Sequence, residues 1–270
     1  METAHEIDYK LYGDDMQFVE IELDSGEVVL AEAGAMMYMD EKIKMETIFG
    51  DGSSRGNQKG LMGKLMGAGK RLVTGEGLFM TTFTNAQEGK AHVAFGAPYP
   101  GSVVPVDLSQ LNGTIICQKD AFLCAAKGVS VGIYLQKKIG AGFFGGEGFI
   151  MQRLDGDGLA FLHAGGTLFK RKITSGQKLR IDTGCLVAMT EGVTFDVQFA
   201  GDIKSAIFGG EGIFFGTLSG EGEVWLQSLP FSRMADRIIN AAGGSKGETK
   251  HAMSSGIEEL SGLANIFNRD

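Results

Sequence analysis

The chain is poor in the residues that usually announce a function. Its 270 residues include only 4 histidines, 3 cysteines, 4 prolines and 1 tryptophan. Cys117, Cys124 and Cys185 form no CxxC pair and no metal-ligand spacing. That excludes a disulfide framework and leaves buried thiols in a reducing compartment. His5 and His251 lie near the ends, and His92 and His163 fall at different places when their flanking turns are aligned, so no transition-metal cluster is read. Apolar runs stay shorter than the roughly 18 residues of a membrane span. The polar start, Met1 to Lys10, has no apolar signal core, and a cytoplasmic location is expected.

Catalytic signatures are missing as well. Gly69-Lys70 is followed by Arg71 and has Lys64 where a phosphate loop needs its first glycine. There is no G-x-S-x-G elbow, no H-E-x-x-H and no dinucleotide fingerprint. Catalysis needs convergent titratable groups, so the chain is read as a non-enzyme with no cofactor. Positive charge is also scarce: the net charge is −8 and the pI about 5.1. Nucleic acid, whose phosphates need a basic surface, is not an expected partner.

Glycine, by contrast, is abundant, at 42 residues. Without a Gly-X-Y period it reads as punctuation between short strands. Gly75-Glu76-Gly77 returns as Gly146-Glu147-Gly148 and as Gly210-Glu211-Gly212, 71 and then 64 residues on. Each triplet leads into an apolar run, a turn and a second run: 78–84 with 91–95, 149–154 with 159–163, and 213–218 with 224–227. These read as three matching hairpins, and 17–23 with 27–30 around Asp24-Ser25-Gly26 reads as a fourth. A second repeat, Ala121 to Val131, lies over Cys185 to Phe195, and its third copy is Ala35 to Met45. With each unit counted from its triplet, the third is split between the two ends of the β region. The expected fold is therefore all-β, with three pseudo-repeats closing on themselves over residues 1–230 and hiding their sheet edges. Helical spacing after Pro230 adds a tail over 231–270.

Three segments carry a family resemblance: Gly69-Lys70-Arg71 with Gly75-Glu76-Gly77-Leu78-Phe79, Ser175-Gly176-Gln177 with Ile181-Asp182-Thr183-Gly184-Cys185-Leu186-Val187-Ala188, and Phe208-Gly209-Gly210-Glu211-Gly212. The chain, over about residues 7 to 230, resembles bacterial and archaeal proteins related to the mitochondrial biogenesis proteins named for altered inheritance of mitochondria. The resemblance implies a β-prism or double-stranded β-helix of three pseudo-equivalent units, grouped with the tryptophan-binding RNA attenuation protein. It implies no established activity, and a shared fold does not transfer RNA binding.

Two sets of residues stand out as candidate sites. Glu76, Glu147 and Glu211 recur in all three units, where pseudo-symmetry would gather three carboxylates round a cation; the plainer reading is a solvated or paired glutamate at each strand start. Lys59, Lys64, Lys70 and Arg71 among Leu61, Met62, Leu65 and Met66 form a basic, apolar segment suited to a partner groove or an anionic membrane. Ile257, Leu260, Leu263 and Phe267 share one helical face in the tail. The leading expectation is a scaffold or binding module that forms a homo-oligomer or meets a protein partner through these segments. Membrane-surface association through 59–71 is a second expectation. Small-ligand or nucleic-acid binding on the β surface, resting on the fold alone, is a third.

Overall fold

A computed structural model describes residues 3–49, 79–134, 150–199 and 214–242. The chain divides into two units, Met1–Pro230 and Phe231–Asp270. In the first, β1 (Asp8–Tyr12) precedes three consecutive sets of six strands. The first set is β2 (Phe18–Leu23), β3 (Val28–Glu32), β4 (Met36–Met39), β5 (Ile43–Phe49), β6 (Phe79–Asn85) and β7 (Ala91–Gly96). The second is β8 (Gly101–Asp107), β9 (Thr114–Gln118), β10 (Phe122–Ala126), β11 (Ser130–Tyr134), β12 (Met151–Asp155) and β13 (Leu159–Gly165). The third is β14 (Leu168–Ile173), β15 (Lys178–Asp182), β16 (Leu186–Met189), β17 (Val193–Phe199), β18 (Phe214–Gly220) and β19 (Gly222–Gln227). In the second unit, α1 (Phe231–Ala241) is an amphipathic helix with Met234 and Ile238 on one face.

Each set is a small sandwich. Its first, third and sixth strands enter one sheet, and its second, fourth and fifth enter the next. The sheet orders are β1-β2-β7-β4, then β5-β6-β3-β10-β13-β8, then β11-β12-β9-β16-β19-β14, then β15-β18-β17. Neighbouring sets fuse by one rule, in which the second strand of one set pairs antiparallel with the third strand of the next: β3 with β10, and β9 with β16. The third strands keep their equivalence in detail. Each meets its sixth strand with a one-residue irregularity, between Met36 and Tyr38, Phe122 and Cys124, and Leu186 and Ala188.

Burial follows from this layering. One apolar cluster lies between the first two sheets, with Val19, Ile21, Val93, Phe95, Phe83 and Phe161; a second lies between the middle sheets, with Leu30, Val106, Ile115, Leu154, Leu162 and Trp225. A third joins the last two through Ile116, Leu186, Met189, Phe195 and Leu218. Strands covered on both faces have lost their alternation: Phe122–Ala126 and Leu186–Met189 are buried throughout. In β2, whose sheet has one open face, half-buried and buried residues alternate.

Three expectations need correction. First, no sheet closes into a prism, ring or double-stranded β-helix among the described residues. The pairing rule leaves β4 and β15 as the ends, and both lack the apolar character of the fused strands. At positions held by Val28 and Leu30 in β3 and by Thr114 and Ile116 in β9, β15 carries Lys178 and Arg180, both exposed. At positions held by Leu123 and Cys124 in β10, β4 carries Met37 and Tyr38, 52% and 41% exposed. Closure would bury unpaired cations, which costs several kcal/mol each.

Second, no unit is split. The three Gly-Glu-Gly triplets fall between the fourth and fifth strands of their sets, so a count begun at the triplet starts in mid-unit. Third, the expected hairpins do not form. Runs 79–85 and 91–96 are strands, but they belong to different sheets, as do the corresponding pairs in the other sets and β2 with β3. The turns between them are corners from one sheet to the next. Buried Asn85 braces the first corner, its Nδ2 donating to the Leu23 and Gly89 carbonyls at 2.9 and 2.7 Å.

Candidate functional site

The residues singled out in the sequence, Glu76, Glu147 and Glu211, then Lys59, Leu61, Met62, Lys64, Leu65, Met66, Lys70 and Arg71, then Ile257, Leu260, Leu263 and Phe267, all lie outside the described residues. Among the described residues no helix is long and apolar enough to cross a membrane, and no group of three or more His, Cys, Asp or Glu side chains has a metal-holding arrangement. Two surfaces of the described residues gather polar and aromatic side chains: the open face of the first sheet and the free edge of the third.

Because β2 alternates, Val19, Ile21 and Leu23 enter the core while Phe18, Glu20 and Glu22 face out. Register places Lys10 opposite Glu20 and His92 opposite Glu22. The Tyr12 hydroxyl donates to Glu20 Oε1 at 3.1 Å, and the Tyr38 hydroxyl donates to Glu20 Oε2. That second bond, to a carboxylate, pushes the Tyr38 hydroxyl up to about 12. His92 lies between Glu22 and Asp40, at 3.2 and 3.3 Å from their oxygens, and the His92 amide donates to Asp40 at 2.8 Å. Lys90 pairs with Glu22 and, chiefly through that hydrogen bond, holds its carboxyl below the usual range. The face is acidic, aromatic and internally bonded, an arrangement that caps an array of sheets with a wetted surface.

The third sheet ends in β14, whose middle residues, Phe169 to Lys172, are exposed. Lys170 Nζ lies 2.8 Å from Glu223 Oε2 and 4.8 Å over the Trp225 ring. Phe169 is 56% exposed. The run Leu168–Ile173 carries little outward sign of its role in the sequence, because three adjacent cations beside a phenylalanine read as an ordinary solvated turn. The signal that could have found it is its place as the first strand of the third set.

Several groups are set apart by their surroundings. Burial pushes the Cys117 thiol up to about 12 and raises Cys124 as well, whereas Cys185 is only half-buried. His163, packed edge-on against Tyr99 with ring centroids 4.4 Å apart, is pushed down to about 4 by burial and is neutral at ordinary pH. Glu32, at the end of β3 beside Asp120, is pushed up to about 7, first by burial and then by that neighbouring charge.

Against this geometry, the family model for mitochondrial biogenesis AIM24 matches residues 9–229, the whole three-set array. The chain belongs to the AIM24 family. An uncharacterized protein of Streptococcus pyogenes serotype M6 is 31% identical over 230 residues, covering 83% of this chain and 86% of the relative. A crystal structure of a Streptococcus pyogenes protein, a structural genomics target, superposes with a TM-score of 0.67 over 87% of this chain and 99% of that one. At 24% identity that likeness speaks for the fold. The AIM24 match ends at Leu229, just before α1, so the helix lies beyond the family's shared region. The biochemical activity of this AIM24 protein is unknown, as is that of its curated streptococcal relative.

Proposed function

We propose that this AIM24-family chain is a non-enzymatic scaffold or binding module that works through strand edges and exposed faces, as a homo-oligomer or with a protein partner. The observation that carries the reading is the open array: among the described residues three fused sandwiches leave sheet edges, β4, β14 and β15 among them, instead of closing on themselves. Unpaired edges are templates for added strands unless they are guarded. Met37, Tyr38 and Phe169 offer apolar contact beside two of those edges.

Cross-linking of the tagged full chain in its own cells tests the reading. Links between two copies, or to one recurrent protein, are expected. Absence of links, together with a melting temperature that rises with the concentration of a small ligand, would overturn it in favour of a ligand-binding protein. Removal of residues 231–270 is expected to leave the β unit folded and to change assembly.

A further inference from the structure

We propose that the free edge of β14 docks an extended acidic peptide of a partner protein, which adds to the third sheet as β1 adds to the first. The proposal deepens the binding-module reading and rests on it.

β2, β8 and β14 are the first strands of their sets and stand at the same end of their sheets. Each set treats that edge differently. On β2 the edge is already filled, because β1 runs antiparallel beside it from Asp8 opposite Glu22 to Tyr12 opposite Phe18. On β8 it is closed by the chain leading into β2: the Gly101 amide donates to the Asp15 carbonyl at 2.7 Å, and the Val103 amide donates to Gln17 Oε1 at 2.9 Å. Pro105 removes a further donor from that strand. On β14 the chain leading into β8 takes only the start, where the Gly166 amide donates to the Pro100 carbonyl at 3.0 Å; along Leu168–Ile173 no strand pairs the side away from β19 among the described residues.

The register fixes what this remaining edge would accept. Glu20 lies opposite Ala94, and its counterpart Lys170 opposite Trp225; Glu22 lies opposite His92, and its counterpart Lys172 opposite Glu223. In the first set, Glu20 meets Lys10 of the added strand. In the third set Lys170 stands where Glu20 meets Lys10, and Lys172 stands where Glu22 faces Asp8, so a strand seated on β14 needs carboxylates at alternate positions, facing Lys170 and Lys172. Lys170 is already fixed over Trp225 by Glu223, whereas Arg171 and Lys172 make no ion pair among the described residues. The intervening peptide residues fall opposite Phe169 and Arg171, and Phe169 offers an exposed ring to apolar ones. Main-chain hydrogen bonds would supply affinity, and the alternating carboxylates specificity. The same cations repel β14 of a second copy, so the guard against self-aggregation doubles as the filter for an acidic strand.

The test is fluorescence anisotropy with the full chain and a labelled octapeptide of alternating Glu and Val, at about 50 mM salt, where surface charges act over more than one residue. Three comparisons accompany it: a peptide of the same composition with its acids contiguous, a version N-methylated at alternate amides, and a thymidine oligonucleotide. Saturable binding is expected, weakened roughly tenfold or more by Lys172→Glu, by contiguous acids and by N-methylation, about 1.4 kcal/mol each. Arg171→Ala, which keeps the edge, should weaken it less. Equal binding of the contiguous peptide, indifference to Lys172→Glu, tighter binding of the oligonucleotide, or no binding at all would overturn the proposal. Each of those results leaves the cross-linking test of the binding-module reading untouched, so the two fail separately.

Discussion

Replacing Asn85 by alanine should loosen the first corner of the array by a measurable and specific amount. The side chain is fully buried, at 0% exposure, and makes three hydrogen bonds: from Nδ2 to the Leu23 carbonyl at 2.9 Å and the Gly89 carbonyl at 2.7 Å, and to Oδ1 from the Gln87 amide at 3.2 Å. Its backbone is bonded across the same corner to Gly26 and Glu27. Asn85→Ala leaves the backbone bonds but orphans the Leu23 carbonyl in a site closed to water. A buried orphan costs about 1–3 kcal/mol, and the two half-buried partners add about 0.5–1.5 kcal/mol each. A total near 3 kcal/mol follows, which for a domain of this size lowers Tm by roughly 6–12 °C. Scanning calorimetry of the full chain is the assay. Thr82→Ala is the control, since Thr82 makes one exposed bond to the Glu46 carbonyl at 3.1 Å and should cost about 0.5 kcal/mol or less. An Asn85→Ala protein that melts within about 2 °C of the parent would refute the idea that this side chain braces the turn between sheets.

Glu32 sets a pH dependence of known sign. Its carboxyl is raised to about 7 in the folded chain, so folding favours the protonated form; that stability is complete below the ordinary carboxyl range near 4.5 and is lost as pH rises through about 7. The contribution is at most about 3 kcal/mol. Melts from pH 5 to pH 8 should therefore fall for the parent and flatten for Glu32→Gln; parallel curves would count against it. Two glycines give a contrast in packing. A methyl group on Gly165 would lie 2.1 Å from the Leu229 carbonyl oxygen and 2.6 Å from the Tyr99 ring, whereas one on Gly132 meets nothing within 4 Å. Gly165→Ala should cost about 1–3 kcal/mol and Gly132→Ala should be neutral or stabilising by about 0.5–1 kcal/mol in urea titrations.

Strand positions were legible in the sequence because alternation and glycine punctuation are local. The runs 17–23, 78–84 and 91–95, which became strands Phe18–Leu23, Phe79–Asn85 and Ala91–Gly96, illustrate this, and so does the equivalence of Tyr38, Cys124 and Ala188, which the repeat alignment alone brings into register. Pairing was not legible. A tight turn such as Asp24-Ser25-Gly26 serves a hairpin or a corner equally well, and what decides is whether the following strand is apolar on both faces, as Val28–Glu32 is. Closure was misjudged for a related reason: equivalence of three units says nothing about whether the last meets the first, which depends on single residues such as Lys178 and Arg180. The β14 edge was invisible because its meaning comes from β1, a strand outside the repeats that fills the corresponding edge of the first set.

The open array itself is tested most directly by residue-resolved hydrogen exchange on the full chain at low concentration. If the array is open, the amides of β3, β9, β10 and β16 exchange slowest, while those of β4, β14 and β15 that point away from their single neighbours exchange early. Protection of β4 and β15 equal to that of β3 and β10, in a monomeric sample, would mean that the two ends meet and would contradict the account.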